Sequence, residues 1–216
     1  MAQGTRVRSR FKDVRIHPTA IIEPGVSIGP HSSVWNNVHI RRNAFLGHHC
    51  VVGEKSCIAY DVRIGNFVKI NAFVYIPARV TVEDKVMLSA GCIFVNDKYP
   101  RAFEESGGGL KSSDPDETTL STLVKEGATL GAGVTVLADL EIGRYALIGA
   151  GSVVTKSVSD HALVVGNPAR QIGWVCLCGP RLVFKGKKAA CNSCRRTYRL
   201  LDKQCVRLNS AGPGES

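Results

Sequence analysis

Aromatic residues are scarce in this 216-residue sequence, where Phe, Trp and Tyr together make up only 6%. A core must therefore be built from Val, Ile, Leu and Ala. Long apolar runs are also missing, since no stretch approaches the roughly 18 uninterrupted apolar residues of a membrane span. The start, MAQGTRVRSRFKD, is basic but has no apolar segment behind it, as a secretory signal would. We therefore expect a soluble cytoplasmic protein without a membrane partner.

The composition also excludes a wholly disordered chain, because 44% of the residues are apolar. The 22 Gly and 9 Pro residues indicate many turns, which favours short strands over long helices. The formal net charge of +10 is unevenly distributed: residues 176–216 hold nine basic and two acidic residues, and five of the eight cysteines. The sequence therefore divides into a body and a basic, cysteine-rich tail.

A six-residue repeat runs through the body. Every sixth residue from Ile16 to Phe94, fourteen in succession, is aliphatic or Phe, and the period resumes from Val124 to Val154. The residue two positions earlier is in most cases small or β-branched. Because residues i and i−2 of a strand point to the same side, each hexad offers two side chains to a common interior. Successive hexads stacked as parallel coils share a core, so the pattern predicts an all-β fold, a parallel hexapeptide β-helix.

The repeat is interrupted once, between residues 95 and 121. This segment contains NDKYPR, SGGG and SSDPDE, a composition typical of a projecting loop. Long loops on a solenoid commonly carry function. A disordered insertion is the alternative, favoured by Gly107 to Gly109, although Tyr99, Pro100 and Arg101 are poor linker residues.

The tail contains two closely spaced cysteine pairs. Cys176 and Cys178 form C-L-C, and twelve residues later Cys191 and Cys194 form C-N-S-C. Such pairs can bring four thiolates around one tetrahedral zinc ion, as in zinc ribbons, although the first pair is C-x-C instead of the commoner C-x₂-C. Four sulfur ligands leave no open position, so the zinc is expected to be structural. Free or disulfide-linked cysteines are the alternative.

The basic residues of the tail raise a second class of function, a module that binds nucleic acid. Aromatic residues for base stacking are few, only Phe184 and Tyr198. We favour a cap over the last coil and do not expect nucleic acid as a partner. The expected organisation is an N-terminal arm (1–13), a hexapeptide β-helix domain (14–170), a zinc-ribbon-like segment (171–208) and a disordered tail (209–216).

From His17 to about Trp174 the chain resembles the left-handed hexapeptide-repeat acyltransferases, most closely the bacterial nucleotide-sugar N-acetyltransferases that act on 3-amino sugars. The resemblance rests on VKI (68–70), VTVED (80–84), FVNDKYPR (94–101), TLVKEGATLGAG (122–133) and HALVVGNPARQIGW (161–174). It implies a left-handed coil and a homotrimer in which acetyl-CoA lies between neighbouring subunits. The implied activity is acetyl-CoA-dependent N-acetylation of a nucleotide-linked amino sugar. Alternatives are an O-acetyltransferase, a transferase for another small amine, or a non-catalytic scaffold whose ribbon binds nucleic acid.

The resemblance also implies the cofactor-binding residues. Ala132 and Ala150, one coil apart in two GAG segments, correspond to positions whose backbone amides contact the pantetheine arm. Small side chains are needed there for close approach, and simple hexad turns are the alternative. Asn167 and Arg170 of GNPAR leave the last coil where the adenine and phosphates of the cofactor are expected, and a guanidinium suits that charge.

Asn96 matches the Asn that receives the amino group of the acceptor in similar enzymes. A neutral amine that attacks a thioester needs orientation and a hydrogen-bond acceptor more than a strong base. Because an amide cannot remove a proton at neutral pH, the proton must leave to the CoA sulfur, to water or to Asp97. The alternative is that Asn96 and Asp97 only shape a turn. Asn71 and Arg101 are the expected substrate-binding residues.

The sequence departs from the family pattern where the acceptor is expected. Val95 stands where Thr is common, Ala72 and Phe73 where polar amides are common, and Asn36 after Trp35 where His is common. The identity of the sugar and of its nucleotide therefore stays open.

His48 and His49 are alternative bases, since many hexapeptide acyltransferases use a histidine. Adjacent residues on a strand point to opposite sides, so at most one of them is expected to face a groove; a polar outer face is the other explanation. SVWNNVHIRR also resembles the early coils of a hexapeptide carbonic anhydrase. That enzyme needs three zinc-binding histidines, and the next histidine after His49 is His161, which excludes it.

Overall fold

The computed structural model describes residues 11–103, 108–112, 114–202 and 204–208. Most of the expected N-terminal arm (residues 1–10) and the expected tail (209–216) lie outside the described residues. The described residues contain strands and turns but no helix, and accordingly none of their elements is a helix long and apolar enough to cross a bilayer.

The body of the chain is a coil of very short strands. Before the loop they are β1 (Arg15–Ile16), β2 (Ile21–Ile22), β3 (Ser27–Ile28), β4 (Ser33–Val34), β5 (His39–Ile40), β6 (Phe45–Leu46), β7 (Val51–Val52), β8 (Cys57–Ile58), β9 (Arg63–Ile64), β10 (Lys69–Ile70), β11 (Tyr75–Ile76), β12 (Val80–Val82), β13 (Met87–Leu88) and β14 (Ile93–Phe94). The strands after the loop are β15 (Thr122–Val124), β16 (Thr129–Leu130), β17 (Thr135–Val136), β18 (Glu141–Ile142), β19 (Leu147–Ile148), β20 (Val153–Val154) and β21 (Ala162–Val165).

The chain then leaves the coil through β22 (Arg170–Trp174) and enters a small antiparallel sheet of β23 (Lys188–Ala190), β24 (Thr197–Leu201) and β25 (Gln204–Leu208). We call residues 176–208, which contain this sheet and the four clustered cysteines, the ribbon.

Three parallel sheets form the faces of the coil. Sheet A has the order β1-β4-β7-β10-β13-β16-β19-β21, with β22 added antiparallel; sheet B has β2-β5-β8-β11-β14-β17-β20; sheet C has β18-β15-β12-β9-β6-β3. Ile16 pairs with Val34 on the next coil, and Leu88 pairs with Leu130 in the same way although the loop lies between them in the sequence. The loop therefore interrupts the chain without changing the register of the coil. The predicted fold, a left-handed parallel hexapeptide β-helix, is confirmed.

The six-residue period is the period of the core. Of the fourteen residues in the series from Ile16 to Phe94, all except Ile22 are buried, and so are all six members of the series from Val124 to Val154. The second series is buried as well except for Val14, Ala20 and Leu140, which are half-buried. These side chains form one continuous cluster along the axis of the coil.

Where sheet C ends, backbones of successive coils approach each other closely. A Cβ atom on Gly47 would lie 2.6 Å from the carbonyl oxygen of Gly65, and one on Gly29 would lie 2.6 Å from the carbonyl carbon of Gly47. Because such contacts with backbone cannot be relieved by a rotamer change, this corner requires glycine.

The described part of the loop folds back against the coil. The Arg42 guanidinium forms an ion pair with Asp114 at 3.1 Å, and Arg79 donates a hydrogen bond to the carbonyl of Asp116 at 3.0 Å. Phe103 and Leu110 form an antiparallel bridge. These contacts argue against the alternative of a disordered insertion for residues that the structure describes.

The ribbon has its own small core and packs on the last coil. Trp174 contacts the cores of both parts. The His161 ring lies 5.3 Å from the Tyr198 ring, and the His161 carbonyl accepts a hydrogen bond from the N–H of Val175 at 2.8 Å. Burial lowers the pKa of His161, which favours the neutral imidazole at this junction.

Candidate functional site

A cleft with a volume of about 510 Å³ lies between the coil and the loop. Asn96, Asp97 and Arg101 line it together with Arg41, Tyr60 and Tyr75 of the coil surface and residues of the returning loop. The structure thus brings together three of the residues proposed from the sequence for catalysis and acceptor binding.

Asn96 lies just beyond β14, at the corner where sheet B passes into sheet C. Its side chain is half-buried, and its Nδ2 lies 3.5 Å from the carbonyl oxygen of Ala78, one coil below. Among the described residues, no donor hydrogen-bonds its Oδ1. The amide is therefore oriented by the coil while its oxygen can accept a hydrogen bond from a molecule in the cleft.

Asp97 and Arg101 are exposed at the cleft, in the first part of the loop. The Arg101 side chain donates to the carbonyl of Pro100 at 2.8 Å, which leaves the rest of its guanidinium free of partners among the described residues. A carboxylate and a guanidinium thus lie close to the Asn96 amide along the chain.

Arg41 and Tyr60 also line the cleft and were not predicted from the sequence. The Arg41 guanidinium lies 3.9 Å from the centre of the Tyr60 ring and the Arg42 guanidinium 4.2 Å from it. Glu23 contacts Arg41 at 3.3 Å. Desolvation acts to raise the pKa of Glu23, but hydrogen bonds from the Arg42 N–H and from His39, with the charge of Arg41, lower it. The arginine pair in the sequence was the available signal.

Asn71 does not lie in this cleft. It comes directly after β10, at the corner between sheets A and B, and its N–H donates to the carbonyl of Leu88 at 2.9 Å. Residues share a corner when they are separated by whole coils, as Ala78 and Asn96 are; Asn71 belongs to the preceding corner. The structure therefore separates it from Asn96, Asp97 and Arg101.

Ala132 and Ala150 stack at that preceding corner, between sheets A and B. The carbonyl of Ala132 accepts a hydrogen bond from the N–H of Gly151 at 2.8 Å, and both alanines are exposed. Within the described ranges, neither alanine N–H has a hydrogen-bond acceptor. The corner thus offers two free amide donors beside small side chains.

Asn167 and Arg170 lie just beyond these alanines. They belong to the hairpin between β21 and β22, which is joined to the last coil by a hydrogen bond from the Gly166 N–H to the Ser152 hydroxyl at 3.1 Å. Both side chains are exposed. The four residues proposed for the cofactor are therefore collected along one edge of sheet B, and the cleft with Asn96 lies along its other edge.

His48 and His49 are in a turn between β6 and β7, so the expectation that they point to opposite sides of a strand is wrong. His49 has a φ of 56°, and the Nδ1 atoms of the two rings are 2.9 Å apart. The His49 ring also packs against Phe67 and His31 at centroid distances of 5.0 and 4.7 Å. This cluster is at the corner between sheets C and A, away from the cleft.

The four ribbon cysteines converge, with their sulfur atoms all within 4.8 Å of one another. Cys176 is 3.3 Å from Cys194 and 3.4 Å from Cys178, and Cys178 is 3.6 Å from Cys191. A zinc ion about 2.3 Å from each sulfur of a tetrahedron needs sulfurs roughly 3.8 Å apart. The set therefore fits a tetrahedral zinc ion with little adjustment.

The electrostatics of the cysteine cluster also favour a cation. The N–H of Arg196 lowers the pKa of Cys194 to about 6, whereas a hydrogen bond with Cys194 raises the pKa of Cys178 to about 12. Four thiols at these distances cannot all ionise together, because each thiolate opposes the next. A divalent cation removes this conflict.

Comparisons with known proteins agree with the fold. Residues 121–156 match the model of the bacterial transferase hexapeptide (six repeats) family. Over 81 residues, 38% of this chain, the sequence is 47% identical to a dTDP-3-amino-3,6-dideoxy-alpha-D-galactopyranose 3-N-acetyltransferase of Aneurinibacillus thermoaerophilus, and the match spans 42% of that relative. Over 153 residues, 71% of this chain, it is 30% identical to the bifunctional protein GlmU of Thermosipho africanus, and covers 28% of it. The chain thus spans less than half the length of either relative.

A solved structure with the same fold is that of AntD, an N-acyltransferase from Bacillus cereus, in complex with dTDP and 3-hydroxybutyryl-CoA. It aligns with a TM-score of 0.51 and 19% identity, and covers 81% of this chain and 88% of AntD. At this level of identity the likeness concerns the fold alone.

Proposed function

We propose that this chain, which carries the hexapeptide repeat of bacterial transferases, is an acetyl-CoA-dependent N-acetyltransferase that acetylates the amino group of a nucleotide-linked amino sugar. The observation that carries the proposal is the cleft in which Asn96, Asp97 and Arg101 meet. The 47% identity over 81 residues with a dTDP-3-amino-sugar 3-N-acetyltransferase supports the same acceptor class.

In the proposed reaction the neutral amine attacks the thioester carbonyl, and the C–S bond then breaks. The Asn96 Oδ1 accepts a hydrogen bond from the attacking amine and so directs its lone pair towards the carbonyl carbon. The proton lost by the amine passes to the departing CoA sulfur, to water or to Asp97. Arg41 and Arg101 supply positive charge for the phosphates of the nucleotide.

Acetyl-CoA is proposed to lie along the corner formed by Ala132 and Ala150. Their two N–H groups can donate to the amide carbonyls of the pantetheine arm, and Arg170, beyond Asn167, suits the phosphates. Asn71 lies at the same corner on an earlier coil, so we assign it to the wall of this groove and not to the acceptor cleft.

The two halves of the proposed site are on opposite edges of sheet B, which favours a site shared between subunits. Six residues of extended chain, the distance from one corner to the next, span up to about 20 Å. A neighbouring subunit can bring its cofactor corner to the acceptor cleft. The outer face of sheet B suits such contact, since Tyr75 and Ile93, which pair on neighbouring strands, are each 44% exposed.

The protein is therefore expected to be a homotrimer, with a mass near three times the 23.3 kDa of one chain. Light scattering coupled to size exclusion at micromolar concentration measures this mass directly. A monomer that is fully active in the transfer assay would contradict a site built from two subunits.

The activity is tested by following free thiol as CoA is released from acetyl-CoA. The acceptors are dTDP- and UDP-linked 3-amino sugars, each paired with the analogue that carries a 3-hydroxyl group. We expect rapid thiol release with an amino sugar and none with its hydroxyl counterpart. Equal or faster release with the hydroxyl sugar would identify an O-acetyltransferase, and absence of release with every acceptor would refute the proposed reaction class.

Zinc is proposed as a structural component of the ribbon, held by Cys176, Cys178, Cys191 and Cys194. When bound, it would neutralise the clustered thiolates and link the two turns that carry them. Its four sulfur ligands leave no position for substrate, so it takes no part in the acetyl transfer.

A further inference from the structure

A groove on the solvent face of the ribbon sheet lies apart from the proposed transferase site. It has a volume of about 740 Å³ and an apolar lining that includes Val183, Ala190 and Leu208. Val183 is 70% exposed, so the groove presents an aliphatic side chain to solvent. The strand register aligns Ala190, Thr197 and Leu208 in one row across the sheet, and this row forms the floor.

Positive charge borders this apolar floor. Lys188 is directly opposite Arg199 in the antiparallel pair β23–β24, and Lys185 bridges to Lys188. Like charges at directly opposed positions of a sheet destabilise it. An anion bound between these cations would relieve this repulsion and stabilise the sheet.

No acidic side chain of the described residues forms an ion pair with these cations. The ion pairs of the described residues all lie at or before Arg144. In the described part of the ribbon the single acidic residue is Asp202, in the turn at the far end of β24. The groove is thus complementary to an external ligand that is anionic and also has apolar groups.

The aromatic residues of the ribbon argue against single-stranded nucleic acid as that ligand. Tyr198 is fully buried and Phe184 is half-buried against the ribbon core, so little aromatic surface is left for a base to stack on. Sequence-tolerant binding of single strands depends on such stacking. A nucleic acid would also leave the side chains of Val183, Ala190 and Leu208 without an apolar partner.

We propose that this groove binds an acidic peptide segment with aliphatic side chains, supplied by a partner protein. Carboxylates of the peptide would lie against Lys185, Lys188 and Arg199, and its aliphatic side chains against Val183, Ala190 and Leu208. The ribbon would then attach a partner to the enzyme at the end of the coil, independently of acetyl transfer.

The test uses the full, zinc-loaded chain and a fluorescein-labelled peptide in which glutamate alternates with valine. Fluorescence anisotropy should report saturable binding. The double variant Lys188→Glu/Arg199→Glu should weaken binding at least tenfold. The matched control is Lys187→Glu/Arg207→Glu, which changes the charge by the same amount; Lys187 is outside the groove, and Arg207 pairs with Tyr198 and so is on the other face of the sheet.

Two further measurements separate this proposal from its competitors. Val183→Ser alters an exposed residue without changing charge, and should weaken binding of the glutamate–valine peptide several-fold but not that of a glutamate–glycine peptide. Zinc content and circular dichroism identify any variant that fails to fold. Equal weakening by both charge variants, no binding by the parent chain, or tighter binding of an oligothymidine or of phosphatidylserine vesicles at the same groove residues would overturn the proposal.

Discussion

Replacement of Asn96 by alanine should lower kcat by roughly 100-fold or more, the loss typical of a missing orienting and transition-state hydrogen bond. The Oδ1 atom of Asn96 receives no hydrogen bond from the described residues. Its Nδ2 atom lies 3.5 Å from the carbonyl oxygen of Ala78. The variant removes the acceptor of the attacking amine and little else. Binding of acetyl-CoA, at the other edge of sheet B, should barely change, and isothermal titration with CoA measures it.

The Asn96→Asp variant provides a more specific signature. A carboxylate still accepts the hydrogen bond, so the loss of kcat should be smaller than in Asn96→Ala. Its negative charge also favours the ammonium form of the substrate, which has no lone pair, and raises the pKa of the bound amine. The pH profile should therefore move to higher pH. Arg101→Lys is the companion variant, because it alters the same cleft without this charge and should leave the profile in place.

The Asn96 variants also test the alternative that a histidine is the catalytic base. If Asn96→Ala retains full activity while His48→Ala or His49→Ala abolishes it, the reaction uses a histidine base. The structure favours Asn96 over the histidines, since both histidines belong to a turn where they contact each other, His31 and Phe67, at the corner between sheets C and A.

The coil could be predicted from sequence because its interior is periodic. Each hexad must place an aliphatic residue at the same position, and residues such as Ile40, Ile58 and Ile76 do so with no exposed surface. The turn at His48 and His49 was not predicted, since a short polar pair can belong to a strand or to a corner. The observed bounds of β6 and β7 show that the pair lies in a corner.

The site was harder to predict because it depends on which corner a residue occupies. Asn96 and Arg101 are close in sequence and stay together in the cleft, whereas Asn71 is not a whole number of coils before Asn96 and is therefore at the preceding corner. Arg41 and Tyr60 meet Asn96 only through the stacking of coils. Side chains that point outward carry no periodic constraint, so the pattern of the core cannot reveal them.

Loss of a zinc ligand should have the largest effect on the stability of the ribbon. Purified protein is expected to contain about one zinc ion per chain by elemental analysis. The Cys191→Ser variant is expected to contain none. Structural zinc sites of this kind contribute on the order of 10–16 kcal/mol to folding, and the described part of the ribbon has a core of only six buried residues to compensate. Cys205→Ser is the matched control, because Cys205 is buried in the same core but is not among the clustered cysteines.

The damage should extend from the ribbon into the last coil but no further. The Tyr198 hydroxyl contacts the Cys176 sulfur at 3.1 Å, its ring packs against His161, and the His161 ring stacks on Tyr145 at 5.5 Å. When the ribbon unfolds, the rings of His161 and Tyr145 become exposed to solvent. In Cys191→Ser, hydrogen exchange should accelerate at amides of β21 and β22 and stay slow in β5 to β8, whose core is continuous with coils on both sides. Unchanged zinc content, or uniform acceleration along the whole coil, would contradict a zinc-dependent cap on an independently stable solenoid.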